Sequence, residues 1–410
     1  MKKILAPLFI IAFTFIFSRC EDQFIFPDKN KKVNLTASEQ KIVSSSEIFG
    51  LKLFKKVNSY EGDKNIFISP LSVSIALGMT LNGANGSTYD SIKAVLELNG
   101  LSEQEINESY KSLADKLINL DPKVVFNIAN SIWYIKSMTF QQDFINTNKT
   151  YFNAEVSGLD FSDPVSLEII NSWVYQSTNG KIDKILDRIP PEAVMYLINA
   201  IYFKGDWEYQ FDKELTKEDN FILANGSISP CKMMVQKNNF SYYTNSLFQA
   251  VDLPYGDSLF SMTIILPLPD KDINEIINQF NEANWNEWLG SFKVSEGEIR
   301  MPKFETEYEL NLNDVLIDLG MGIAFRNADF TKMYAPGGLS ISVVKHKTYV
   351  KVDEEGTEAA AVTSVEIIRT SIGSGFSMKI NRPFIYVIHE RSSNTILFIG
   401  KMVNPGLAGF

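Results

Sequence analysis

The sequence predicts an α+β fold in one large domain, and three observations lead to that prediction. Helical patterns concentrate in the first half of the chain, whereas strand patterns dominate the second half. No Pro/Gly/Ser-rich linker, repeat or low-complexity stretch interrupts the chain from about Thr36 to Pro405. Hydrophobic residues make up 45 % of the 410 residues and charged residues 21 %, so the chain can build a sizeable core.

Residues 1–19 are typical of a secretory signal peptide. Two lysines precede the apolar run Ile4–Phe17, which is too short to span a bilayer as a helix. Cys20 follows and resembles the lipid-modified cysteine of bacterial lipoproteins, although Arg19 replaces the small residue usual before it. Lipidation predicts an outer- or cell-surface membrane lipoprotein. The alternative is an ordinary cleaved signal and a secreted or periplasmic protein. Residues 20–37 predict a polar tether, and 38–410 the folded domain.

The helices of the first half have recognisable starts. Thr36-Ala-Ser-Glu39 fits a capping box that opens the first helix. Ser69-Pro70 predicts the next start, because serine can cap while proline lacks a donor that the first turn leaves unpaired anyway. This second helix is expected to end near Gly83 and Gly86. Further helices are predicted at about 102–119, 164–178 and 271–288.

Runs rich in β-branched and aromatic residues predict the strands. These runs are Val124–Ile135, Met195–Phe203, Ser258–Leu266, Ser342–Val352, Ser377–His389 and Thr395–Met402.

Charge and motif content exclude several classes of function. The net charge of -10 repels phosphate backbones, so no nucleic-acid partner is expected. Two cysteines and two histidines are too few for a disulfide scaffold, a zinc module or an iron–sulfur site, so no metal or cofactor is expected. Phosphate-binding and dinucleotide-binding glycine motifs are absent from the sequence. The only candidate hydrolase bases, His346 and His389, lie in strand-like runs and are interpreted as structural. The chain is therefore not expected to be an enzyme.

The segment Lys351–Pro383 carries most of the functional information. It contains no proline from Gly356 to Arg382, and its composition alternates as in a strand. One face starts at Thr357 and is uncharged and mostly small or apolar, whereas the face that starts at Glu358 can meet solvent. Such a segment could enter a sheet as an added central strand. The alternatives are a permanent strand or a helix through the alanine run.

Several motifs in order resemble the serpin (serine protease inhibitor) family over about residues 38–405. The resembling segments are Glu354-Glu-Gly-Thr-Glu-Ala-Ala-Ala361, Asn65-Ile-Phe-Ile-Ser-Pro-Leu-Ser72, Thr178-Asn-Gly-Lys-Ile182, Asn199-Ala-Ile-Tyr-Phe-Lys-Gly-Asp-Trp207, Arg382-Pro-Phe384 and Phe398-Ile-Gly-Lys-Met-Val-Asn-Pro405.

The resemblance implies three β-sheets, eight to nine helices and an exposed reactive loop. It also implies a monomeric suicide-substrate inhibitor that forms a covalent 1:1 complex with a serine protease. The cleaved loop would insert into the main sheet and trap the acyl-enzyme. A non-inhibitory serpin acting as a binding or carrier protein is the alternative.

The resemblance also implies roles for individual residues. The hinge of the loop comprises Glu354, Glu355, Gly356, Thr357, Glu358, Ala359, Ala360 and Ala361. Thr357 would be the first of these to be buried on insertion. The polar cluster beneath the sheet, called the shutter, comprises Ser69, Ser72, Asn199 and His346, and Trp207 marks the breach, where the loop would enter. Asn130, Trp133, Cys231 and His389 are expected to serve packing alone.

The family spacing places the reactive bond between Thr370 and Ser371, with Arg369–Thr370 as the alternative. Thr370 and Ile368 would suit elastase- or subtilisin-like proteases, whereas Arg369 would suit a trypsin-like protease with an acidic pocket. One loop could therefore serve more than one class of protease.

Overall fold

The computed structural model describes residues 32–357 and 375–406. Cys20, the hinge residues from Glu358 to Ala361, Arg369 and both candidate reactive bonds lie outside these ranges. Within the ranges, no helix combines the length and the apolarity needed to cross a bilayer.

Nine helices occur in the described part of the chain. They are α1 (Ala37–Glu61), α2 (Pro70–Leu81), α3 (Gly86–Val95), α4 (Glu103–Ile118), α5 (Gln142–Phe152), α6 (Val165–Ser177), α7 (Ile273–Gln279), α8 (Glu282–Gly290) and α9, which runs without a gap through Asn313–Leu316, the π-helical turn Ile317–Met321 and Gly322–Phe325. Both predicted starts are confirmed: Thr36 and Glu39 form the capping box of α1, and the Ser69 side chain caps α2.

Fifteen strands occur in the same residues. They are β1 (Ile66–Ile68), β2 (Val124–Ile135), β3 (Glu155–Leu159), β4 (Met195–Asp206), β5 (Lys217–Ile222), β6 (Ile228–Thr244), β7 (Phe248–Tyr255), β8 (Phe260–Pro267), β9 (Lys293–Pro302), β10 (Phe304–Asn311), β11 (Val343–Val352), β12 (Gly356–Thr357), β13 (Phe376–Lys379), β14 (Phe384–Glu390) and β15 (Ile396–Met402).

The strands form a main sheet and a larger hydrogen-bonded network that divides into two parts at β6. The main sheet has the order β10-β11-β12-β4-β2-β3. The other strands form one hydrogen-bonded network, β1-β15-β14-β8-β7-β6-β9-β13, with β5 beside β6. The long strand β6 joins two parts of this network, because its first half pairs with β5 and only its last four residues pair with β7. The predicted α+β fold with three sheets is therefore confirmed.

The core lies between the main sheet, the β1-β15-β14-β8-β7 layer and the helices packed on them. Helix α2 passes through this core, and every one of its residues is buried. It contacts both β4 of the main sheet and β15 of the second layer. Helix α2 therefore joins the two layers through the core.

Two sequence boundaries were wrong for identifiable reasons. The segment Ser377–His389 is two strands, β13 and β14, and Pro383 between them lacks the donor that a continuous ladder needs. The helix expected at 271–288 is two helices, because the Asn281 side chain caps a new start at α8. Helix α2 ends at Leu81, close to the expected Gly83, and Gly86 begins α3.

Candidate functional site

The candidate site is the end of the main sheet where β4 ends at Asp206 and β11 ends at Val352, because the hinge lies there. We call it the upper end of the main sheet. Strands β11 and β4 run parallel and pair directly from Val343–Tyr196 to Thr348–Ile201. Above that point they pair with β12 instead, so that Thr357 lies opposite Val352 on one side and Gly205 on the other. Between these ends the two strands have no direct pairing. The main sheet is thus already open where a further strand would begin.

Thr357 is already buried in this state, with 1 % of its surface exposed. Its hydroxyl forms a 2.6 Å hydrogen bond with the Tyr255 hydroxyl. The first hinge residue on the inward face thus already occupies a place in the main sheet. A short polar side chain fits here because the Tyr255 hydroxyl, itself buried, needs a partner.

Trp207 holds the hinge backbone from the side of β4. Its indole stacks on the Tyr255 ring at a centroid distance of 4.4 Å and an angle of 13°. The indole Nε1 donates to the Asp353 carbonyl at 3.0 Å, and the Trp207 amide donates to the Glu355 carbonyl at 2.8 Å. Trp207, predicted at the breach from its sequence motif, thus contacts the hinge directly.

Two ion pairs fix the entry to the hinge. The Glu354 carboxylate accepts from Lys303 at 2.8 Å and from the Thr216 hydroxyl at 2.7 Å. Burial alone would raise the pKa of Glu354, but these hydrogen bonds hold it below its usual value, so the group stays ionised. Glu355 is paired with Lys213. These ion pairs therefore hold the first two residues of the hinge in place, directly before Gly356 and Thr357, which pair with β4.

Gly356 is required by the close approach of the hinge to β4. A Cβ atom at this position would lie 2.2 Å from the Gly205 carbonyl oxygen and 2.7 Å from the Asp206 Cα atom. Both are backbone atoms of a strand inside the main sheet and cannot move aside cheaply. Only glycine, which has no Cβ atom, therefore fits at this position of the hinge.

The predicted shutter residues form one buried cluster below the opening. The Ser69 amide donates to His346 Nε2 at 3.0 Å, and the Ser72 hydroxyl donates to the side-chain oxygen Oδ1 of Asn199. Asn199 in turn donates to the Asn130 side-chain oxygen at 2.8 Å. His346 and Asn199 are register partners across the β11–β4 pairing. A strand entering between β11 and β4 would separate these two residues.

His346 is a neutral, hydrogen-bond-accepting side chain in this cluster. Burial lowers its pKa to about 3. Its Nε2 atom accepts the Ser69 amide proton, so the ring proton is assigned to Nδ1, which has no protein partner. The expectation that His346 is structural is in keeping with this environment, because the ring is buried and its Nε2 atom is taken up by the Ser69 amide.

Two residues expected to serve packing alone take part in polar networks. Asn130 joins the shutter cluster through Asn199. His389 contacts Thr263 at 2.9 Å and Ser261 at 3.1 Å, beside the buried Asp252. Burial opposes the ionisation of Asp252, but its hydrogen bond with His389 and the nearby positive charge lower its pKa to about 2. Cys231 is buried, and burial raises its pKa to about 11, in keeping with packing alone.

Sequence reasoning missed the residues that hold the hinge from outside it. Tyr255, Lys303 and the pair Lys213 and Thr216 come from three separate parts of the chain and carry no local motif. In the described ranges, no group of three or more His, Cys, Asp or Glu side chains could hold a metal ion. The contacts described above hold the start of the hinge at the open end of the main sheet.

Comparison with known proteins agrees with this geometry. Residues 44–405 match the family model "Serpin (serine protease inhibitor)". Human Serpin B11 is 33 % identical over 382 residues, covering 87 % of this chain and 97 % of the relative. The native crystal structure of the thermophilic serpin tengpin has a TM-score of 0.83 and 35 % identity, covering 91 % of this chain and 96 % of tengpin. Human thyroxine-binding globulin complexed with its hormone also has a TM-score of 0.83, at 27 % identity, covering 90 % of this chain and all of the globulin.

Proposed function

Because the chain belongs to the serpin family, whose members are in general protease inhibitors rather than catalysts, we propose that it is a suicide-substrate inhibitor of serine endopeptidases. Cysteine endopeptidases, which also form acyl-enzymes, are a second target class. The protease would attack the loop, and the inhibitor would be consumed in a 1:1 covalent complex.

The observation that carries this proposal is the open upper end of the main sheet. Strands β11 and β4 are separated there by two hinge residues, and both have backbone groups ready to pair with a longer strand. An inhibitor that works by strand insertion needs such an opening, at the end of the sheet where the hinge lies.

The proposed mechanism has a chemical step in the active site of the protease and a conformational step in the main sheet of the inhibitor. The serine oxygen of the protease would attack the carbonyl carbon of Thr370, and the bond to the Ser371 nitrogen would break, which leaves an acyl-enzyme and a new amine. The freed loop would then extend β12 downward between β11 and β4. His346 and Asn199 would separate, and the bonds of the shutter cluster would re-form with the new strand. New ladder hydrogen bonds and buried apolar surface drive this step.

Trapping is a kinetic competition between insertion and deacylation. If insertion is faster, the catalytic residues of the protease are pulled out of alignment before water can hydrolyse the ester. If insertion is slower, the protease is released and the inhibitor has been used as a substrate. The native state must therefore be separated from the inserted state by a barrier that cleavage lowers.

The test is incubation with elastase-, subtilisin- and trypsin-like proteases, followed by a denaturing gel. An SDS-stable band at the summed mass is expected with at least one of them. Each protease with its catalytic serine replaced by alanine is the matched control and should give no such band. Mass spectrometry of the released C-terminal peptide identifies the bond, Thr370–Ser371 or Arg369–Thr370. Clean loop cleavage with undiminished protease activity for all three classes would contradict the inhibitory function.

A carrier function is the second candidate, favoured by the structural similarity to thyroxine-binding globulin. It predicts loop cleavage without a covalent complex and a bound small molecule in the purified protein. Native mass spectrometry of the intact chain separates the two functions, because only a carrier keeps a stoichiometric ligand.

We also propose that the mature chain is anchored to an outer or cell-surface membrane through acylated Cys20. The basic start, the short apolar run and the position of the cysteine support this assignment. Cys20→Ala should move the protein from the membrane to the soluble fraction of expressing cells. An unchanged distribution would leave the alternative, a secreted or periplasmic protein with an ordinary cleaved signal.

A further inference from the structure

The chain enters the folded body at the same end of the main sheet as the hinge. The Val33 amide donates to the Ser392 hydroxyl at 3.0 Å, in the turn that follows β14. Strand β14 ends at Glu390, opposite Phe260 at the start of β8, and Phe260 lies opposite Tyr255 at the end of β7. Tyr255 is the residue that holds Thr357. The entry point and the hinge are thus separated by the ends of three adjacent strands.

A second route of contacts gives the same placement. Lys116, in the last turn of α4, donates to the Asn34 carbonyl at 2.8 Å. Just beyond α4, the Asp121 carboxylate accepts from the Asp257 amide at 2.8 Å. The neighbouring Gly256 amide donates to the Asp206 carbonyl at 2.9 Å, and Asp206 is the register partner of Gly356.

A partly apolar surface lies between the entry point and the breach. Trp207 and Arg391 line one shallow cavity of about 240 Å³ together with Tyr209 and Val294. Tyr209 is 48 % exposed and Val294 is 77 % exposed, the largest value among the large hydrophobic side chains that the structure describes. The adjacent Lys293 is exposed as well, on the opposite face of β9 from Val294. We call Tyr209 and Val294 the entry face.

We propose that the entry face lies against the membrane that holds the acylated Cys20, so that the hinge end of the molecule faces the lipid. This inference rests on the lipid anchor proposed above. An exposed tyrosine and valine suit the boundary between headgroups and acyl chains, where the apolar ring and its polar tip can both be satisfied. Lys29, Lys31 and Lys32 just before the entry point add attraction to anionic headgroups, although the whole chain carries a net charge of -10.

The attachment of the tether at the hinge end favours this orientation. The twelve steps of chain from Cys20 to Lys32 span at most about 43 Å even when fully extended. The main sheet is nearly as long, since the twelve residues of β4 rise about 40 Å. The anchor therefore keeps the hinge end within about 43 Å of the lipid, and the apolar entry face, rather than the length of the tether, decides which end lies against it. The partner that fits is a protease whose active site works close to the same membrane.

The test compares two single-cysteine variants of the full-length, acylated chain in vesicles containing phosphatidylglycerol. Val294→Cys places a polarity-sensitive fluorophore on the entry face. Glu192→Cys places the same fluorophore on an exposed residue three positions before β4, at the opposite end of the sheet. Cys231 is buried and Cys20 is acylated, so each variant has one reactive thiol.

Flotation of the vesicles reports anchoring, and energy transfer to a headgroup-labelled lipid reports orientation. We expect both variants to float, with a blue-shifted emission and at least twofold greater transfer from position 294 than from position 192. Flotation with equal transfer from both positions would overturn the orientation and leave the anchor intact. Failure to float would overturn the orientation together with the anchor. Protease inhibition in detergent, measured on the same samples, is independent of either result.

Discussion

Replacing Thr357 by arginine tests whether inhibition depends on insertion of the hinge. Thr357 lies between β11 and β4 with its hydroxyl on Tyr255, and almost none of its surface is exposed. An arginine at this position would place a long cation among the stacked rings of Tyr255 and Trp207. The nearest carboxylates of the hinge, Glu354 and Glu355, are already paired with Lys303 and Lys213. The new charge would therefore be buried without a partner.

The expected magnitude follows from the competing states. Burying an unpaired ion costs several kcal/mol even after relaxation. Keeping the hinge outside the sheet loses the Tyr255 hydrogen bond, worth about 1 kcal/mol, and the short β12 pairing. The variant should therefore leave its hinge outside the sheet, and insertion must carry the charge past β4 and β11. An increase of about 2.7 kcal/mol in that barrier slows insertion about a hundredfold.

The assay is the number of inhibitor molecules consumed per protease inactivated, together with the melting temperature after loop cleavage. Thr357→Arg should be cleaved at the normal rate, because the residues around the reactive bond are unchanged. It should be consumed as a substrate instead of trapping the protease. It should also gain less thermal stability than the wild type when cut. Thr357→Ser keeps the hydroxyl and is the matched control, and Glu358→Arg places the same charge on the outward face. If Thr357→Arg traps protease as efficiently as the wild type, insertion of this hinge is not the mechanism.

Three further outcomes are expected. Gly356→Ala should expel the hinge without adding charge, because its Cβ would meet the backbone of β4; increased protease access to the hinge at unchanged secondary structure would show it, and unchanged access would refute it. Burial and the nearby Glu282 raise the pKa of Glu47 from 4.5 to about 8, so the stability that this group contributes is full below pH 4.5 and lost as the pH rises through 8. Glu47→Gln should therefore melt higher than the wild type at pH 9 and like it at pH 4.5, whereas equal melting at both would contradict the shift. Arg369→Ala should slow inhibition of trypsin-like proteases at least a hundredfold and leave elastase-like inhibition nearly unchanged, and equal losses would mean that one bond serves both classes.

The parts of the fold that the sequence predicts are those encoded locally. The capping box at Thr36, the Ser69-Pro70 start and the strand Val124–Ile135 each depend on residues within one element, and all three agree with the structure. Boundaries failed where a single residue acted against the surrounding pattern. Asn281 capped a new helix inside a helical run, and Pro383 interrupted a strand-like run.

The residues of the candidate site also divide into those that a local sequence motif identifies and those that it does not. The hinge glycine, Trp207 and the shutter residues belong to contiguous motifs, so a sequence with the family's pattern identifies them. Tyr255 and Lys303 could not be found in this way, because their importance arises only when β7 and the β9–β10 junction meet the hinge in space. No short-range pattern marks a tyrosine whose hydroxyl is needed by a threonine 102 residues away.

In the proposed mechanism, the arrangement of these residues would keep the opening from spreading before cleavage. At the top, Glu354 and Trp207 hold the hinge where Gly356 and Thr357 pair with the main sheet. Lower down, His346 and Asn199 keep β11 and β4 paired through a cluster whose hydrogen bonds are all buried. Because breaking a buried hydrogen bond exposes unsatisfied groups before new partners arrive, the cluster adds a barrier even though the inserted sheet has more bonds. Cleavage would remove the restraint of the distal end of the loop, and the first bonds gained above the cluster could then help to offset those broken within it.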